Sequence, residues 1–321
     1  MTGAALSVAV LDDYQSVAQD GADWAGLEDV AVTFLHDHLV DEGAAVAALE
    51  TYDVLVVMRE RTPLTAGLLA RLPRLRLVVT SGLRNASIDL DAARARGITV
   101  CGTPSASEPP TELTWALILG VARGLRAEVP SFCTGGRWQS TLGTDLHGAV
   151  LGVVGLGKIG SRVATIGMAF GMDVVAWSPH LTEARCAEVG VRPAADLHTL
   201  LAEADVTTLH LVLGESTRGI IGRDELAAMK STGHLVNTSR AGLVDTDALV
   251  DALRSGALAG AGLDVFDEEP LPADHPLRTL PNVLATPHLG YVTRGNYARY
   301  FEGAVADIAA WRAGSPVRLL T

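Results

Sequence analysis

The first hundred residues alternate short apolar runs with stretches of helical pattern. Runs of strand length occur in "SVAVLDD", "VAVTFLHD", "DVLVVM", "LRLVVT" and "ITVCG". Segments such as "DEGAAVAALET" and "IDLDAARARG" lie between them. This alternation is typical of βαβ units and predicts a parallel sheet covered by helices.

A second series of the same kind fills the later part of the chain. Its strand-like runs are "GAVLGVVG", "DVVAWS", "VTTLHLVL", "HLVNTS", "GAGLDVF" and "NVLATPH". These runs are apolar on both faces, as expected of central parallel strands buried between helices. The sequence therefore predicts an α/β fold with two Rossmann-like, doubly wound parallel-sheet domains.

The alternation of strand-like and helical segments is interrupted at "PSASEPPTELTWALILGVARGLRA", where several prolines precede a long apolar helix. We place a domain boundary here, so that residues 1–103 and 291–321 form one domain and residues 104–290 the other. The pattern of residues 291–321 predicts a helix that returns to the first domain. Residues 127–147 show no clean period, and we expect an extended connection there, which packs on a partner subunit.

A glycine loop opens the second series. In "GLGKIG", Gly155, Gly157 and Gly160 follow an apolar strand and begin a helix, whose apolar face is Ile159, Val163, Ile166 and Phe170. The first glycine permits a tight turn, the second lets a pyrophosphate approach, and the third lets helix and strand touch. Free N–H groups at a helix start favour an anion. The context favours dinucleotide binding over a merely glycine-tolerant turn.

The end of the next strand carries Ser178. An Asp or Glu usually stands about 20 residues after the glycine loop, where it holds the adenosine ribose. A serine hydroxyl can bond to a ribose hydroxyl or to a phosphate. We therefore expect NAD as the cofactor, with NADP as an open alternative. His180 and Arg185 lie nearby in sequence, either facing a phosphate or as ordinary surface residues.

Composition narrows the class of partner. The formal net charge is −12, and Lys158 and Lys230 are the only lysines, which disfavours binding to a nucleic-acid backbone. The amino terminus lacks the pattern of a signal peptide, and no apolar run approaches the ~18 residues of a membrane span. The three cysteines have no metal-ligand spacing. We expect a cytoplasmic protein without a metal, a membrane or a nucleic-acid partner.

Three polar residues follow strands of the second series. Arg240 comes after "HLVNTS", Glu269 after "GAGLDVFDE" and His288 after "NVLATP". Ligands of open α/β sheets bind at the carboxyl ends of the strands. Each residue taken alone also has an ordinary structural explanation, as a carbonyl cap, part of an acidic loop, or a satisfied histidine.

Together, the motifs "NTSRAGLVD", "GLDVFDEEPL" and "TPHLG" resemble the D-isomer-specific 2-hydroxyacid dehydrogenases, and the resemblance spans nearly the whole chain. It implies that Arg240, Glu269 and His288 form the active site. It also implies a substrate domain built from both ends of the chain, an inserted cofactor domain, and a homodimer.

The residue types suit the chemistry that this resemblance implies. An oxidoreductase of this kind transfers a hydride between a nicotinamide cofactor and a small 2-oxo acid or D-2-hydroxy acid. His288 would supply the proton for the carbonyl oxygen, and Glu269 would favour its imidazolium form. Arg240 would bind the carboxylate and polarise the carbonyl.

Further roles also follow from the resemblance. Asp264 would contact the nicotinamide end, Thr238 and Ser239 would line the cofactor, and Lys158 and Ile159 would offer loop N–H groups. The loop "TSGLRNASID" would hold the substrate carboxylate, with Leu83, Arg84 and Asn85 at its centre. Arg84 departs from the family pattern and either recognises a second acidic group or is simply exposed. Candidates for the border of the substrate pocket are Met58, Arg59, Arg61 and Trp138.

Two other functions compete with this one. Transcriptional corepressors also resemble the family, so a catalytically weak, dinucleotide-sensing regulator is the alternative. A dehydrogenase for formate or phosphite would keep the fold and change the substrate. Formate enzymes of the family place a Gln before the active-site His, and Glu269 in this chain disfavours that substrate.

Overall fold

The computed structural model describes residues 5–321, and the chain divides into two compact units. The first unit contains the chain up to Ala106 together with Thr293–Thr321, and the second contains Ser107–Val292. The boundaries expected from sequence lie within a few residues of these divisions. The assignment of substrate and dinucleotide to the two units stays a prediction.

The first unit is built on a sheet of five parallel strands. Its first segment contains β1 (Leu6–Val10), β2 (Val30–Phe34), α1 (Glu42–Leu49), β3 (Val54–Val57), α2 (Ala66–Ala70), β4 (Leu77–Thr80), α3 (Leu90–Ala95) and β5 (Thr99–Gly102). The strand order is β2-β1-β3-β4-β5. The chain therefore turns outward from β1 in both directions, which makes the sheet doubly wound.

The second unit contains a sheet of seven parallel strands. Its helices are α4 (Glu108–Ala122), α5 (Leu125–Cys133), α6 (Lys158–Ala169), α7 (Glu183–Val189), α8 (Leu197–Glu203), α9 (Arg223–Ala228) and α10 (Thr246–Ser255). Its strands are β6 (Val150–Val154), β7 (Asp173–Trp177), β8 (Arg192–Pro193), β9 (Val206–Leu209), β10 (His234–Asn237), β11 (Gly260–Leu263) and β12 (Val283–Ala285). The order β12-β11-β10-β9-β6-β7-β8 puts the switch of direction beside β6.

The strands are buried on both faces, as their continuous apolar sequences predict. Neighbouring residues of β6 show this directly, because Val153 and Val154 belong to two different core clusters. Successive side chains of a strand point to opposite faces, so helices on both sides find an apolar surface. The predicted fold class, two parallel-sheet α/β domains, is confirmed.

Local sequence sets where most helices begin. An Asp or Thr side chain accepts a backbone N–H in the first turn of many of them, at Asp41, Thr65, Asp89, Thr182, Asp196, Asp245 and Thr293. Such a cap satisfies an N–H group that has no partner within the helix, and it stabilises the helix by about 1 kcal/mol.

Part of the connection at residues 127–147 is helical rather than extended. Helix α5 covers Leu125–Cys133, contains Pro130 and buries none of its residues. The expectation of an extended connection was wrong for residues 127–133. The apolar residues Leu125, Val129 and Phe132 do recur at helical spacing, but Pro130 lies among them, and proline usually ends a helix.

The last helix, α11 (Arg294–Arg312), and the tail after it belong to the first unit. The tail lies along the edge strand β5, where Leu320 donates its N–H to the Val100 carbonyl at 2.8 Å. A buried ion pair fixes it further, since the Arg318 guanidinium lies 2.8 Å from the fully buried carboxylate of Asp307 on α11. Burial raises the pKa of Asp307 to about 6, although Arg318 acts in the opposite direction.

Replacing Arg318 tests this clamp. We expect Arg318→Met to lower the free energy of unfolding by about 3 kcal/mol at pH 7.5, because a buried carboxylate loses its cation. The loss should be smaller at pH 5, since a raised pKa lets Asp307 fold as the neutral acid and the unfavourable ionised form appears only as the pH rises. Urea denaturation at both pH values measures it.

The matched control is Arg94→Met, which removes an exposed ion pair to Asp91 in the same unit. That pair should contribute at most about 1 kcal/mol. Equal losses for Arg318→Met at pH 5 and pH 7.5 would contradict the assigned role of Asp307.

Candidate active site

The three candidate catalytic residues follow three neighbouring strands. Arg240 follows β10, Glu269 lies in the loop after β11, and His288 follows β12. These strands are parallel and paired in the order β10-β11-β12, so their carboxyl ends share one edge of the sheet. Residues far apart in sequence are therefore gathered at the edge where α/β proteins bind ligands.

Glu269 and His288 are in direct contact. The Oε2 atom of Glu269 lies 2.6 Å from Nδ1 of His288. A carboxylate only accepts hydrogen bonds, so Nδ1 carries a proton and donates it to Glu269. The other carboxylate oxygen accepts the N–H of Phe266 at 2.9 Å, which fixes the Glu269 side chain. The ring of Tyr291 meets the imidazole edge-on, with the centroids 5.2 Å apart.

The backbone that carries His288 is strained. His288 has a φ of 52°, in the left-handed region that non-glycine residues seldom occupy. The buried Asp264 stabilises it by accepting the N–H groups of Leu289 at 2.7 Å and Gly290 at 2.8 Å. Asp264 also accepts the Thr286 hydroxyl at 2.6 Å. Its carboxylate therefore holds the chain on both sides of the histidine.

Burial raises the pKa of Asp264, and these hydrogen bonds act against that rise. The resemblance gave Asp264 a role at the nicotinamide end, and its bonds to the His288 segment were not predicted. The sequence offered one general signal. Asp264 is a carboxylate at the end of an apolar strand, "GAGLD", and a buried carboxylate there must find polar partners.

Arg240 lies one strand away from Glu269, at the start of a short 3₁₀ turn, Ala241–Leu243. Its carbonyl accepts the side-chain amide of Asn237 at 2.9 Å, and Asn237 also accepts the N–H of Ser239 at 3.0 Å. The Nη1 atom of Arg240 donates to the Ser239 carbonyl at 2.7 Å. Asn237 thus holds the backbone of the arginine, a contribution that the sequence did not reveal.

The glycine loop joins β6 to α6. Gly155 has a φ of 104°, and a Cβ there would come 2.7 Å from the His210 carbonyl carbon. A Cβ on Gly160 would overlap the Gly155 carbonyl oxygen. By contrast, a Cβ on Gly157 would meet nothing within 4 Å. This open space at a helix start, with Lys158 and Ile159 next in the chain, fits a pyrophosphate.

The remaining cofactor candidates flank this loop or the arginine. Thr238 shares a 2.7 Å hydroxyl contact with Thr114 of α4, and the Ser239 hydroxyl donates to the Leu211 carbonyl at 2.8 Å. Ser178 is half-buried and follows Trp177, whose carbonyl accepts the N–H of Gly155 at 2.8 Å. Ser178 therefore stands immediately beside the start of the glycine loop.

The loop predicted to hold a substrate carboxylate belongs to the first unit, after β4. Leu83 and Arg84 are exposed, whereas Asn85 is buried. The Asn85 amide donates to the Arg59 carbonyl at 2.5 Å and to the Thr80 hydroxyl at 3.0 Å. Asn85 thus holds the loop in shape.

The candidates for the pocket border occupy different settings. Met58 is buried, and Arg59 has a φ of 52° and donates to the Ser81 carbonyl at 3.2 Å. Arg61 donates to the Asp12 carbonyl at 2.6 Å. Trp138 belongs to the second unit, where it is 76% exposed.

Comparison with known proteins decides the family. Residues 115–290 match the family model described as "D-isomer specific 2-hydroxyacid dehydrogenase, NAD binding domain". The chain belongs to this family. The dehydrogenase is therefore an oxidoreductase of the D-2-hydroxyacid class with a dinucleotide-binding domain, as its motifs predict.

Its relatives differ in their named substrates. The dehydrogenase is 42% identical to a glyoxylate reductase of Aeropyrum pernix, over 77% of this chain and 76% of that protein. It is 40% identical to a D-3-phosphoglycerate dehydrogenase of Methanocaldococcus jannaschii, over 75% of this chain but only 46% of that longer protein. A solved phosphoglycerate oxidoreductase of Vibrio cholerae is 39% identical, with a TM-score of 0.92 over 97% of this chain and 100% of that one.

Residues 5–321 contain neither a metal-binding cluster nor a membrane-spanning helix. No cluster of three or more His, Cys, Asp or Glu side chains is arranged to hold a metal ion in this part of the chain. Nor does it contain a helix both long and apolar enough to cross a bilayer.

Removing the charge of Asp264 tests its role as an anchor. We expect Asp264→Asn to lower the free energy of unfolding by about 1–3 kcal/mol, because the amide nitrogen cannot accept a backbone N–H. The matched control is Asp267→Asn, an exposed residue of the same loop region, which should change stability by less than about 0.5 kcal/mol. Equal effects of the two variants, measured by urea denaturation, would contradict the role of anchor.

Proposed function

We propose that the dehydrogenase reduces a small 2-oxo acid to the D-2-hydroxy acid, with His288 as general acid and, in the reverse direction, general base. The 2.6 Å contact between His288 and Glu269 carries this proposal. It orients an imidazole at the ligand-binding edge of the sheet.

The two ring nitrogens of His288 have different roles in this proposal. Because Nδ1 donates to Glu269, Nε2 at the other side of the ring is the atom that gives a proton to the carbonyl oxygen. Glu269 accepts the Nδ1 hydrogen bond and so holds the ring with Nε2 free for the transfer. The Asp264 hydrogen bonds keep the imidazole in place, so little reorganisation accompanies the transfer.

Arg240 supplies the fixed positive charge. A guanidinium has several N–H donors in one plane and suits a carboxylate, and it also polarises a neighbouring carbonyl. We assign both tasks to Arg240, because Asn237 fixes its backbone beside β11, the strand that leads to the Glu269 loop. His288 and Arg240 thus act on the same end of the substrate, one through a proton and the other through charge.

The cofactor groups surround the glycine loop. Gly155, Gly157, Lys158, Ile159 and Gly160 would hold the pyrophosphate, and Ser178 the adenosine ribose. Thr238, Ser239 and Asp264 would serve the nicotinamide end. A bound nicotinamide dinucleotide supplies or accepts the hydride. The hydroxyl of Ser178 leaves room for either NAD or NADP.

We assign recognition of the substrate to a loop of the first unit. Leu83, Arg84 and Asn85 form a loop held in place by the buried Asn85 amide, and we assign their backbone N–H groups to the substrate carboxylate. A glyoxylate- or hydroxypyruvate-like acid is the substrate that we favour. The exposed Arg84 would extend the range to acids with a second negative group.

We also assign the enzyme to the cytoplasm, since Cys101, Cys133 and Cys186 are all free thiols. We further propose a homodimer formed through the arm surface, the exposed apolar side chains of α5 and the segment after it. These side chains are Leu125, Val129, Phe132, Trp138 and Leu142. Exposed apolar side chains that gather on one surface mark interaction sites.

Substitution of the catalytic candidates tests the mechanism. We expect His288→Ala and Arg240→Ala each to lower kcat/KM by about 10²-fold or more on the best acceptor, because each acts at the reacting carbonyl. Affinity for the dinucleotide should stay near that of the parent enzyme. Initial rates at 340 nm with glyoxylate, hydroxypyruvate, pyruvate, phenylpyruvate and 2-oxoglutarate, with each cofactor, identify that acceptor.

The matched control for the histidine is His198→Ala, an exposed histidine on α8. It should keep the parent rate. Full activity of His288→Ala would refute the site assignment, and silence of the parent enzyme with a bound cofactor would favour a dinucleotide sensor.

A polar substitution on the arm surface tests the dimer. Phe132 and Trp138 are 71% and 76% exposed, and their rings lie 6.1 Å apart. We expect Phe132→Asp to shift the enzyme from dimer to monomer in size-exclusion chromatography with light scattering, because a charge would be buried in an apolar interface. Val40→Asp, at a 77% exposed residue of the first unit, is the control and should stay dimeric. A monomeric parent enzyme would rule the dimer out.

A further inference from the structure

The ribose end of the proposed cofactor site lacks a carboxylate. Strand β7 ends at Trp177, and the residues that follow, Ser178 to Thr182, are uncharged except for His180. The first acid after the strand is Glu183, which already belongs to α7. No side chain in this segment therefore carries the negative charge that would repel a phosphate on the ribose.

Arg185 brings a positive charge to the glycine loop. Its Nη2 atom donates to the Ser161 hydroxyl at 2.7 Å, and its Nε atom donates to the Leu156 carbonyl at 3.4 Å. Leu156 lies between the first two glycines of the loop, and Ser161 lies in the first turn of α6. The guanidinium is thus fixed against the glycine loop although it belongs to the helix after β7.

This guanidinium is held but still accessible. The Arg185 side chain is 35% exposed, and its Nη1 atom lies 2.7 Å from Glu188 of the same helix. Glu188 is itself 68% exposed, and an ion pair in water is weak. A phosphate dianion competes well for such a guanidinium, because it accepts two parallel N–H bonds.

We infer that Arg185, together with the Ser178 hydroxyl, binds the 2′-phosphate of NADP and makes NADP the preferred cofactor of this enzyme. Ser178 stands beside the start of the glycine loop through the bond between Trp177 and Gly155, and Arg185 lies against the residue after Gly155. A hydroxyl donor and a guanidinium are the groups that a ribose phosphate requires. The inference rests on the proposed function, because it needs a dinucleotide on the glycine loop.

A purely structural role for Arg185 is the competing explanation. Its bonds to Leu156 and Ser161 tie α7 to the glycine loop, and a clamp of this kind would support NAD and NADP equally. The two explanations differ in what happens when only the charge around Arg185 changes. A phosphate site would change the affinity for NADP alone, whereas a structural clamp would change the affinities for both dinucleotides.

The experiment measures the dissociation constants of NADP⁺ and NAD⁺ by titration calorimetry without substrate, so that no turnover is needed. We expect the parent enzyme to bind NADP⁺ more tightly. Arg185→Gln should remove most of this preference, weakening NADP⁺ by about 10- to 100-fold, the value of a charge-assisted bond. The affinity for NAD⁺ should remain unchanged, because glutamine keeps a donor for the Leu156 carbonyl.

Two other variants move the preference in opposite directions. Glu188→Gln frees Arg185 from its carboxylate partner and should tighten NADP⁺ alone, an effect that a structural clamp would not produce. Ser178→Asp should shift the preference to NAD⁺ by repelling the phosphate and accepting the ribose hydroxyls. Arg223→Gln, an exposed arginine of α9 paired with Asp251, is the matched control and should leave both constants unchanged.

The failure of this inference and that of the proposed function are distinguishable. Binding of NAD⁺ with no preference for NADP⁺, or equal losses for both in Arg185→Gln, would overturn the phosphate site and leave the dehydrogenase assignment intact. Absence of binding by either dinucleotide would overturn both.

Discussion

The buried carboxylate of Asp264 fixes the part of the site on which the chemistry depends. His288 occupies a left-handed backbone conformation that costs free energy, and it persists because Asp264 accepts the next two N–H groups and the Thr286 hydroxyl. With that backbone fixed, the imidazole meets Glu269 at 2.6 Å. A flexible segment would spread the imidazole over many orientations and weaken any proton transfer that it performs.

The sheet topology supplies the second constraint. Strands β10, β11 and β12 are consecutive in sequence and adjacent in space, so one edge collects Arg240, Glu269 and His288. The glycine loop after β6 lies at the same edge, beside the switch of strand order. One sheet edge of the second unit thus carries both the open glycine loop at a helix start and the His288–Glu269 pair.

The proposed roles fall on different parts of the fold. The catalytic candidates follow strand ends, whereas we assign cofactor choice to the residues after β7 and substrate choice to the loop after β4. The named activities of the relatives, glyoxylate reductase and D-3-phosphoglycerate dehydrogenase, fit this division, since both belong to proteins that match the same chain. A fold of this kind keeps its reaction and changes its ligands through a few exposed side chains.

The sequence by itself determined the elements and the chemical groups. Continuous apolar runs predicted the long strands, and the glycine spacing marked the dinucleotide loop. The family resemblance of three motifs pointed to Arg240, Glu269 and His288. These features are local, because they depend on the order of neighbouring residues. The two-residue strand β8 and the helix α5 escaped prediction, since β8 is too short to show a period and α5 contains Pro130, a residue that usually ends a helix.

Only the tertiary structure decided which distant side chains meet. Asp307 and Arg318 form a buried pair, Asp264 holds the backbone after His288, and Arg185 reaches Ser161 from another helix. Such contacts follow from the relative placement of packed elements, to within a few tenths of an ångström. Hydrogen bonds and ion pairs depend on distances of that size, and residue order along the chain does not encode them locally.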